Sequence, residues 1–410
     1  MEDIFVTQID IKKVRHIENF VVPVSTEKRK HVIFTGKNGS GKTSVLNEMV
    51  IFFKHLDSLN SLDGVKQSIA YFEQQKSNLL QNKPDNFIDE MAKTDINIKN
   101  NQQLIDSFGN TFISVNYPVL ASKVFSEGDF IIAFFKAKRN NYESNLPTGI
   151  DKIDIKPVYD IEEKASNNFI QYIVNLKAER SFANDSKELE AVKKIDEWFE
   201  NFEKELRILF DKEDLQLKFD RKDFNFYIIE PGREPYTLTQ LSDGYSAILD
   251  IIAELIMRME KHRLASYDIQ GVVLIDEIET HLHIELQKKI LPFLIAFFPK
   301  IQFIVTTHSP FVLNSINNAV ICDLEKRIVI DKDFSAYPSE ALVEDYFDSD
   351  QYSNLLKEEV KEYERLMLAK ELTEEQRARL SELEKRFEKI SDKSEELKGK
   401  ILQIKLAKIR

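Results

Sequence analysis

The chain has only eleven glycines in 410 residues, yet Gly36, Gly39 and Gly41 fall within six positions. Glycines crowded in this way mark a backbone that must turn where a side chain would obstruct it. The run Gly36, Lys37, Asn38, Gly39, Ser40, Gly41, Lys42, Thr43 fits the spacing G-x-x-x-x-G-K-[ST], with Ser44 following in the same turn. Before it lies a β-type run, His31 to Thr35, and after it helix-forming residues from Thr43 to about Leu56. In that order the glycines turn backbone N–H groups around phosphate oxygens, and the helix N-terminus adds positive potential. Lys42 is placed for the β and γ phosphates, and Thr43 for Mg²⁺. A nucleoside triphosphate is the expected ligand.

Further β-type runs precede the loop at Ile4 to Ile9 and Val21 to Val24. From about Leu59 the chain turns polar and rich in Gln, Asn and Lys, which predicts helices projecting from the body, an inserted arm spanning 59–128. A strand at Phe130 to Phe135 returns to the core. Helical patterns cover Phe169 to Lys177 and Glu188 to Phe210, and alternation at Leu215, Leu217, Phe219 and at Phe224, Phe226, Ile228 predicts a hairpin closed by Pro231 and Gly232. A long helix from Ser242 to about Lys261 leads to the apolar strand Val272 to Ile275, and another helix leads to Ile301 to Val305. Continuous apolar runs between helices predict a parallel sheet buried on both faces, hence an α/β fold. The core divides into 1–58 and 129–348 around the arm.

The tail, 349–410, is charged and proline-free. Leu380, Leu383, Phe387, Ile390, Leu397, Ile401 and Ile404 recur at steps of three and four, with Ser394 and Lys408 on the same seam, which predicts a coiled-coil helix. Thr373 and Gln376 form a capping box at its start, and Val360, Tyr363 and Leu366 give a shorter stripe before it. A C-terminal helical hairpin is expected, with the longer helix left in need of a further partner.

Val272 to Ile275 deliver Asp276 and Glu277 at a strand's carboxyl end, the edge where parallel sheets bind ligands. Asp276 is suited to hold Mg²⁺, and Glu277 to orient or deprotonate an attacking water. Between the glycine loop and this pair, Leu241, Ser242, Asp243, Gly244 and Tyr245 open a helix. Taken alone, Ser242 is a helix N-cap; as a second anion site it needs a phosphate other than the one the first loop surrounds.

A net charge of −12 opposes long-range attraction of polyanions, so contact with nucleic acid would need a basic patch or a basic partner. The single Cys322, the absence of a basic-then-apolar start and the lack of any apolar run near 18 residues lead to the expectation of a cytoplasmic protein with no membrane association.

The order of glycine loop, LSDGY, strand ending in Asp276–Glu277, and strand ending in Thr306, Thr307, His308 resembles the ABC-type ATPases. The nearest branch is the soluble one of RecF, RecN, SMC and OLD proteins, and the resemblance covers about residues 1 to 330. It implies that Ser242, Asp243 and Gly244 cap the γ-phosphate held by a second copy, giving a homodimer or a higher even-numbered oligomer. His308 matches the family's switch histidine. Glu279, Thr280 and His281, with Leu282 and His283, look like its D-loop; the other reading makes His281 and His283 metal ligands, which would need additional donors. Arg15, in KKVRHIENF, either lies near the nucleotide, as a comparable arginine does in this branch, or is a surface residue.

The family's Q-loop glutamine is not evident; Lys136, Lys138 and Arg139 follow the Phe130 to Phe135 strand instead, either contacting phosphate or nucleic acid or forming a solvated face. The chain is similar to ATPases of Septu-type, retron-associated and PARIS-type systems. This implies a sensor and scaffold subunit of a bacterial anti-phage complex controlling a separate nuclease or toxin, with nucleic acid reached through that partner. A RecF-like repair ATPase that binds DNA directly is the alternative, and a transporter motor fits the signature and tail least.

Overall fold

The computed structural model describes residues 2–56, 59–139, 147–260, 269–331, 354–369, 372–391, 401–402 and 404. The chain divides into two units, Met1–Pro338 and Ser339–Arg410, so the division falls ahead of the expected 348/349 boundary.

The larger unit is built on a six-stranded sheet. Its strands are β3 (His31–Thr35), β5 (Phe130–Phe135), β9 (Gln270–Ile275), β10 (Ile301–Thr306), β11 (Ala319–Asp323) and β12 (Ile328–Ile330), in the order β12-β11-β3-β10-β9-β5. All neighbours pair parallel except β12, which runs antiparallel to β11. Every residue of β3, β9, β10 and β11 is buried. That is why these segments read as unbroken apolar runs: a strand covered on both faces has no solvent side to alternate with. The expected α/β class, with helical insertions and a C-terminal helical hairpin, is what the chain adopts.

A second, antiparallel sheet, β2-β1-β4, comprises β1 (Val6–Val14), β2 (Ile17–Pro23) and β4 (Thr111–Val115). Here the polar stretch differs from the helical arm expected over 59–128. Helices α2 (Leu59–Asn82) and α3 (Phe87–Ser107) pack on each other, and Thr94 is the one buried residue of α3. Beyond Ser107 the chain rejoins the body as β4, with Thr111 and Ile113 facing inward, followed by α4 (Pro118–Glu127). Two inward residues in a five-residue strand are too faint a signal against so polar a background.

A helical lobe follows. It holds α5 (Phe169–Asp185), α6 (Leu189–Phe210) and the expected hairpin, β6 (Gln216–Asp220) and β7 (Asn225–Ile229), extended by β8 (Tyr236–Thr237). Buried Ile195, Trp198, Phe199, Phe202, Leu206, Leu209 and Phe210 recur at helical spacing on α6, and Trp198 stacks on Phe202 at 5.3 Å between centroids. Helix α7 (Asp243–Met259) is buried along almost all its length. Its Arg258 is only 5% exposed and pairs with Glu254 at 2.7 Å, while its Nη1 donates to the Ile132 carbonyl of β5 at 2.9 Å. The helix is thereby fastened to the sheet's edge strand.

In the smaller unit, helices Asn354–Leu368 and Glu374–Ser391 bury Tyr363, Leu366, Met367, Leu383, Phe387, Ile401 and Ile404 together, with Val360 and Leu380 packed alongside. The capping box is present: Thr373 Oγ1 accepts from the Gln376 N–H at 3.3 Å, and Gln376 Oε1 accepts from the Thr373 N–H at 3.0 Å. The side chain of Ile390 and the seam residues Ser394, Leu397 and Lys408 lie outside the described residues.

Candidate nucleotide site

The glycine loop connects β3 to α1 (Lys42–Phe53) at the carboxyl edge of the central sheet. Gly36, Gly39 and Gly41 all have left-handed φ, at 130°, 85° and 99°. A Cβ on Gly36 would also lie 2.9 Å from Ser40 Oγ, so both conformation and space demand glycine there. Lys37, Asn38, Gly39 and Thr43 are exposed, Ser44 is half-buried, and Gly36, Ser40, Gly41 and Lys42 are buried. The Lys42 ammonium turns back onto its own loop, donating to the carbonyls of Gly36 at 2.8 Å and Lys37 at 3.1 Å. Burial lowers its pKa, and the nearby carboxylates of Glu277, Asp276, Glu279 and Asp323 act the other way.

Those carboxylates come from the neighbouring strand ends. Asp276 is buried at the end of β9, and Thr306, closing the adjacent β10, donates from Oγ1 to its Oδ1 at 2.6 Å. The same Thr306 oxygen accepts from the Glu277 N–H at 2.7 Å. Glu277 itself is half-buried with φ 46°, a left-handed conformation that non-glycine residues seldom adopt. Strain of that kind, held by hydrogen bonds around it, is a feature of functional sites. His308 follows two residues after Thr306, its N–H donating to Glu279 Oε1 at 2.5 Å. Burial and the Lys42 charge lower the His308 pKa against the pull of Glu279, Glu277 and Asp276. Lys42, Asp276, Glu277, Glu279 and His308 thus form one electrostatic neighbourhood from three adjacent strand ends.

The chemistry of this set fits Mg²⁺ and a triphosphate. Asp276 presents a buried carboxylate, Thr43 an exposed hydroxyl at the first turn of α1, and the loop its glycine-shaped backbone. Among the described residues no group of three or more His, Cys, Asp or Glu side chains could hold a metal. A Mg²⁺ ion bound with few protein ligands, completing its shell with phosphate and water, matches that donor set.

Ser242, Asp243 and Gly244 sit elsewhere. Ser242 occupies the N-cap position of α7 but makes no capping hydrogen bond, so the role that a lone sequence reading assigns to its hydroxyl is unused. With Tyr245, His281, His283, Lys212 and Lys289 they line a cavity of about 600 Å³, and no glycine-loop residue lines it. Phe210 and Tyr245 stack at 4.2 Å on its wall. A Cβ on Gly244 would lie 3.1 Å from the His281 carbonyl, so glycine lets α7 seat against the Glu279–His283 segment. In that segment Thr280 Oγ1 donates to Glu277 Oε2 at 3.4 Å, and His281, at φ 66°, is exposed.

Arg15 opens the turn between β1 and β2, exposed and left-handed at φ 54°. Two residues on, Ile17 approaches the glycine loop, its Cδ1 lying 3.0 Å from where a Gly41 Cβ would be. Lys136 pairs with Glu162 at 2.9 Å. Arg139 instead reaches into the site, its Nη2 donating to the carbonyls of Asp276 at 2.8 Å and Glu277 at 3.0 Å. Sequence reasoning missed Glu325, which accepts from the Lys37 N–H at 3.0 Å and pairs with the Lys37 ammonium at 3.1 Å, tethering the loop's outer turn. It also gave no role to Thr306, although Thr306 stands in the strand-end triplet.

Residues 126–314 match the family described as "AAA domain, putative AbiEii toxin, Type IV TA system". The matched segment includes Ser242, Asp276, Glu277 and His308, and the glycine loop precedes it. Among similar proteins is the Septu protein PtuA of Bacillus mycoides (strain KBAB4), 43% identical over 93 residues, covering 22% of this chain and 13% of that protein. The retron Ec83 probable ATPase of Escherichia coli is 40% identical over 94 residues, covering 22% of this chain and 17% of that protein. The chain therefore spans less than a fifth of the length of these relatives. A solved SMC head bound to the C-winged helix domain of ScpA aligns over 79% of this chain and 96% of its own, at 12% identity and a TM-score of 0.38.

Proposed function

We propose that this chain binds Mg²⁺-ATP at Gly36–Thr43 and hydrolyses it in a homodimer, each signature segment closing over the nucleotide of the other copy. The AAA match and the names of the retron relatives support ATPase chemistry. The observation that carries the dimer is the cavity at the start of α7. It gathers Ser242, the α7 N-terminus, Lys212, Lys289 and two histidines, together with Asp211, Asp243 and Glu285, around a space that the chain's own phosphate loop does not line. An uncapped helix N-terminus attracts phosphate, and a second copy related by two-fold symmetry would supply it.

On this reading Lys42 and the loop amides hold the β and γ phosphates, and Thr43 and Asp276 hold Mg²⁺, which offsets phosphate charge. Glu277 takes a proton from water as the water oxygen bonds to the γ phosphorus and the bond to the bridging oxygen breaks, leaving ADP and phosphate. His308 is available to hydrogen-bond the γ-phosphate or the water. Glu279, Thr280 and His281 line the approach between copies.

The output is control of a separate effector, a nuclease or toxin, in an anti-phage complex, with the C-terminal helices in assembly. The Septu and retron names of the similar proteins support this reading. The test is native mass spectrometry of the Glu277→Gln protein captured with ATP from its host. A nucleotide-bound dimer carrying a stoichiometric effector is expected. A monomer would overturn the shared site, and this chain with DNA alone would favour the RecF-like repair reading.

A further inference from the structure

The backbone around Glu277 is held from two sides. Thr306 Oγ1 takes its N–H from β10. From the other side comes Arg139, four residues past the end of β5, in the segment where the resemblance leads one to expect a glutamine and none is evident. One nitrogen of its guanidinium, Nη2, donates to the carbonyls of Asp276 and Glu277, spanning the residue with φ 46°. Backbone links tie the same strand ends together: the Asp276 N–H donates to the Phe135 carbonyl at 2.8 Å, and the Ile278 N–H to the Thr306 carbonyl at 3.1 Å.

Arg139 is not a surface cation that happens to lie nearby. Its Nε is buried without a hydrogen-bond partner, and Glu279, Asp250, Asp276 and Glu277 are the charges that favour its ionised form against burial. Lys136, three residues earlier, is exposed and paired outward with Glu162. Of the three cations after β5, Arg139 is the one that bonds to the Asp276–Glu277 backbone. A left-handed glutamate relaxes toward ordinary φ unless its carbonyls are fixed, and relaxation would swing the carboxylate away from its present direction.

We propose that Arg139 is a positioning residue for hydrolysis: its guanidinium clamps the two carbonyls flanking the left-handed peptide and so aims the Glu277 carboxylate at the attacking water. The inference rests on the ATPase reading above. It assigns Arg139 no contact with the nucleotide, so its loss acts on turnover and not on ATP binding. Lysine can also offer two N–H groups from one nitrogen, but its ammonium is more strongly hydrated and less pre-organised than the planar guanidinium, so it restores function only in part.

The test compares the full-length wild type with Arg139→Ala, Arg139→Lys, Glu277→Gln and the double variant Arg139→Ala/Glu277→Gln. Single-turnover hydrolysis of radiolabelled ATP, ATP affinity by calorimetry and Tm are measured for each. The proposal expects Arg139→Ala to slow hydrolysis at least tenfold with ATP affinity within about threefold, and Arg139→Lys to fall between. It expects Arg139→Ala to add less than twofold to the Glu277→Gln defect, since residues acting through one another are non-additive.

Multiplicative losses in the double variant would overturn it, as would weakened ATP binding at unchanged turnover, the mark of a phosphate contact. So would a fall in Tm with normal turnover per folded molecule. Should Arg139→Ala not fold, Arg139→Lys decides on the same readouts, and wild-type rates in it would overturn the clamp. If wild type and Glu277→Gln hydrolyse alike, Glu277 has no catalytic role and the mechanism on which the inference rests fails, an outcome distinct from an inert Arg139 beside an essential Glu277.

Discussion

At the residue scale the site separates two kinds of information. Gly36–Thr43 and Asp276–Glu277 were legible because each is a contiguous run whose neighbours in sequence are its neighbours in space. Arg139 and Glu325 were not, because each acts on backbone 137 or 138 positions away in one case and 288 in the other, and a lone charged residue carries no local signature. The division yields contrasting expectations. Lys42→Ala leaves the phosphates without their cation and abolishes measurable ATP binding by calorimetry. Glu277→Gln keeps binding but lowers hydrolysis by about 10²–10⁴-fold, the usual contribution of a positioned general base. Equal loss of binding in both variants would contradict the separation of roles.

A third residue ties the site's foundation to pH. His31, at the start of β3, is buried, and its Nδ1 accepts from the Phe303 N–H at 3.1 Å. Burial, with a smaller push from Arg29, lowers its pKa from 6.5 to about 4. The unfolded chain therefore takes up this proton first as pH falls. The neutral imidazole's stabilising contribution is complete above pH 6.5 and is lost progressively toward pH 4, by about 3 kcal/mol from the cited shift. Urea unfolding at pH 7.5 and 4.5 should show that difference, and His31→Asn, which keeps an acceptor near the Nδ1 position, should shrink it.

At the scale of elements, burial decided what the sequence disclosed. Strands β3, β9 and β10, covered on both faces, stand out as apolar blocks. β4 hides in a polar stretch because only Thr111 and Ile113 turn inward. The helical lobe was readable from α6, whose apolar residues keep helical spacing over 22 residues. Helix starts near Phe169, Glu188 and Ser242 were readable from apolar spacing although no side chain caps them. Thr373 and Gln376 form a reciprocal box, whereas Ser242 stands at an N-cap position with its hydroxyl unengaged. Thr373→Ala should cost about 1 kcal/mol of local helix stability. Amide hydrogen exchange over Glu374–Ser391 is the measurement, with faster exchange in the first turns expected and unchanged protection counting against the cap.

At the scale of the whole molecule, the proposed dimer makes the phosphate loop of one copy and the signature segment of the other two halves of one site, so activity should be shareable between copies. Lys42→Ala removes phosphate binding and spares the signature. Ser242→Arg fills the mouth of the cavity beside Gly244 and spares the loop. Each protein alone should be inactive, although Ser242→Arg still binds ATP. Mixed in equal amounts under conditions of subunit exchange, half of the dimers pair one of each kind. Each such dimer has one site with both halves intact and one with both broken, so about a quarter of wild-type turnover should return if sites act independently. Recovery that rises with mixing time toward that fraction would establish sharing in trans. Ser242→Arg protein with full activity by itself, or a mixture as inactive as its components, would instead mean that each chain completes its own site or that the two sites fire only together. The second case would be separated by ATP-dependent dimerisation of the mixture in the Glu277→Gln background.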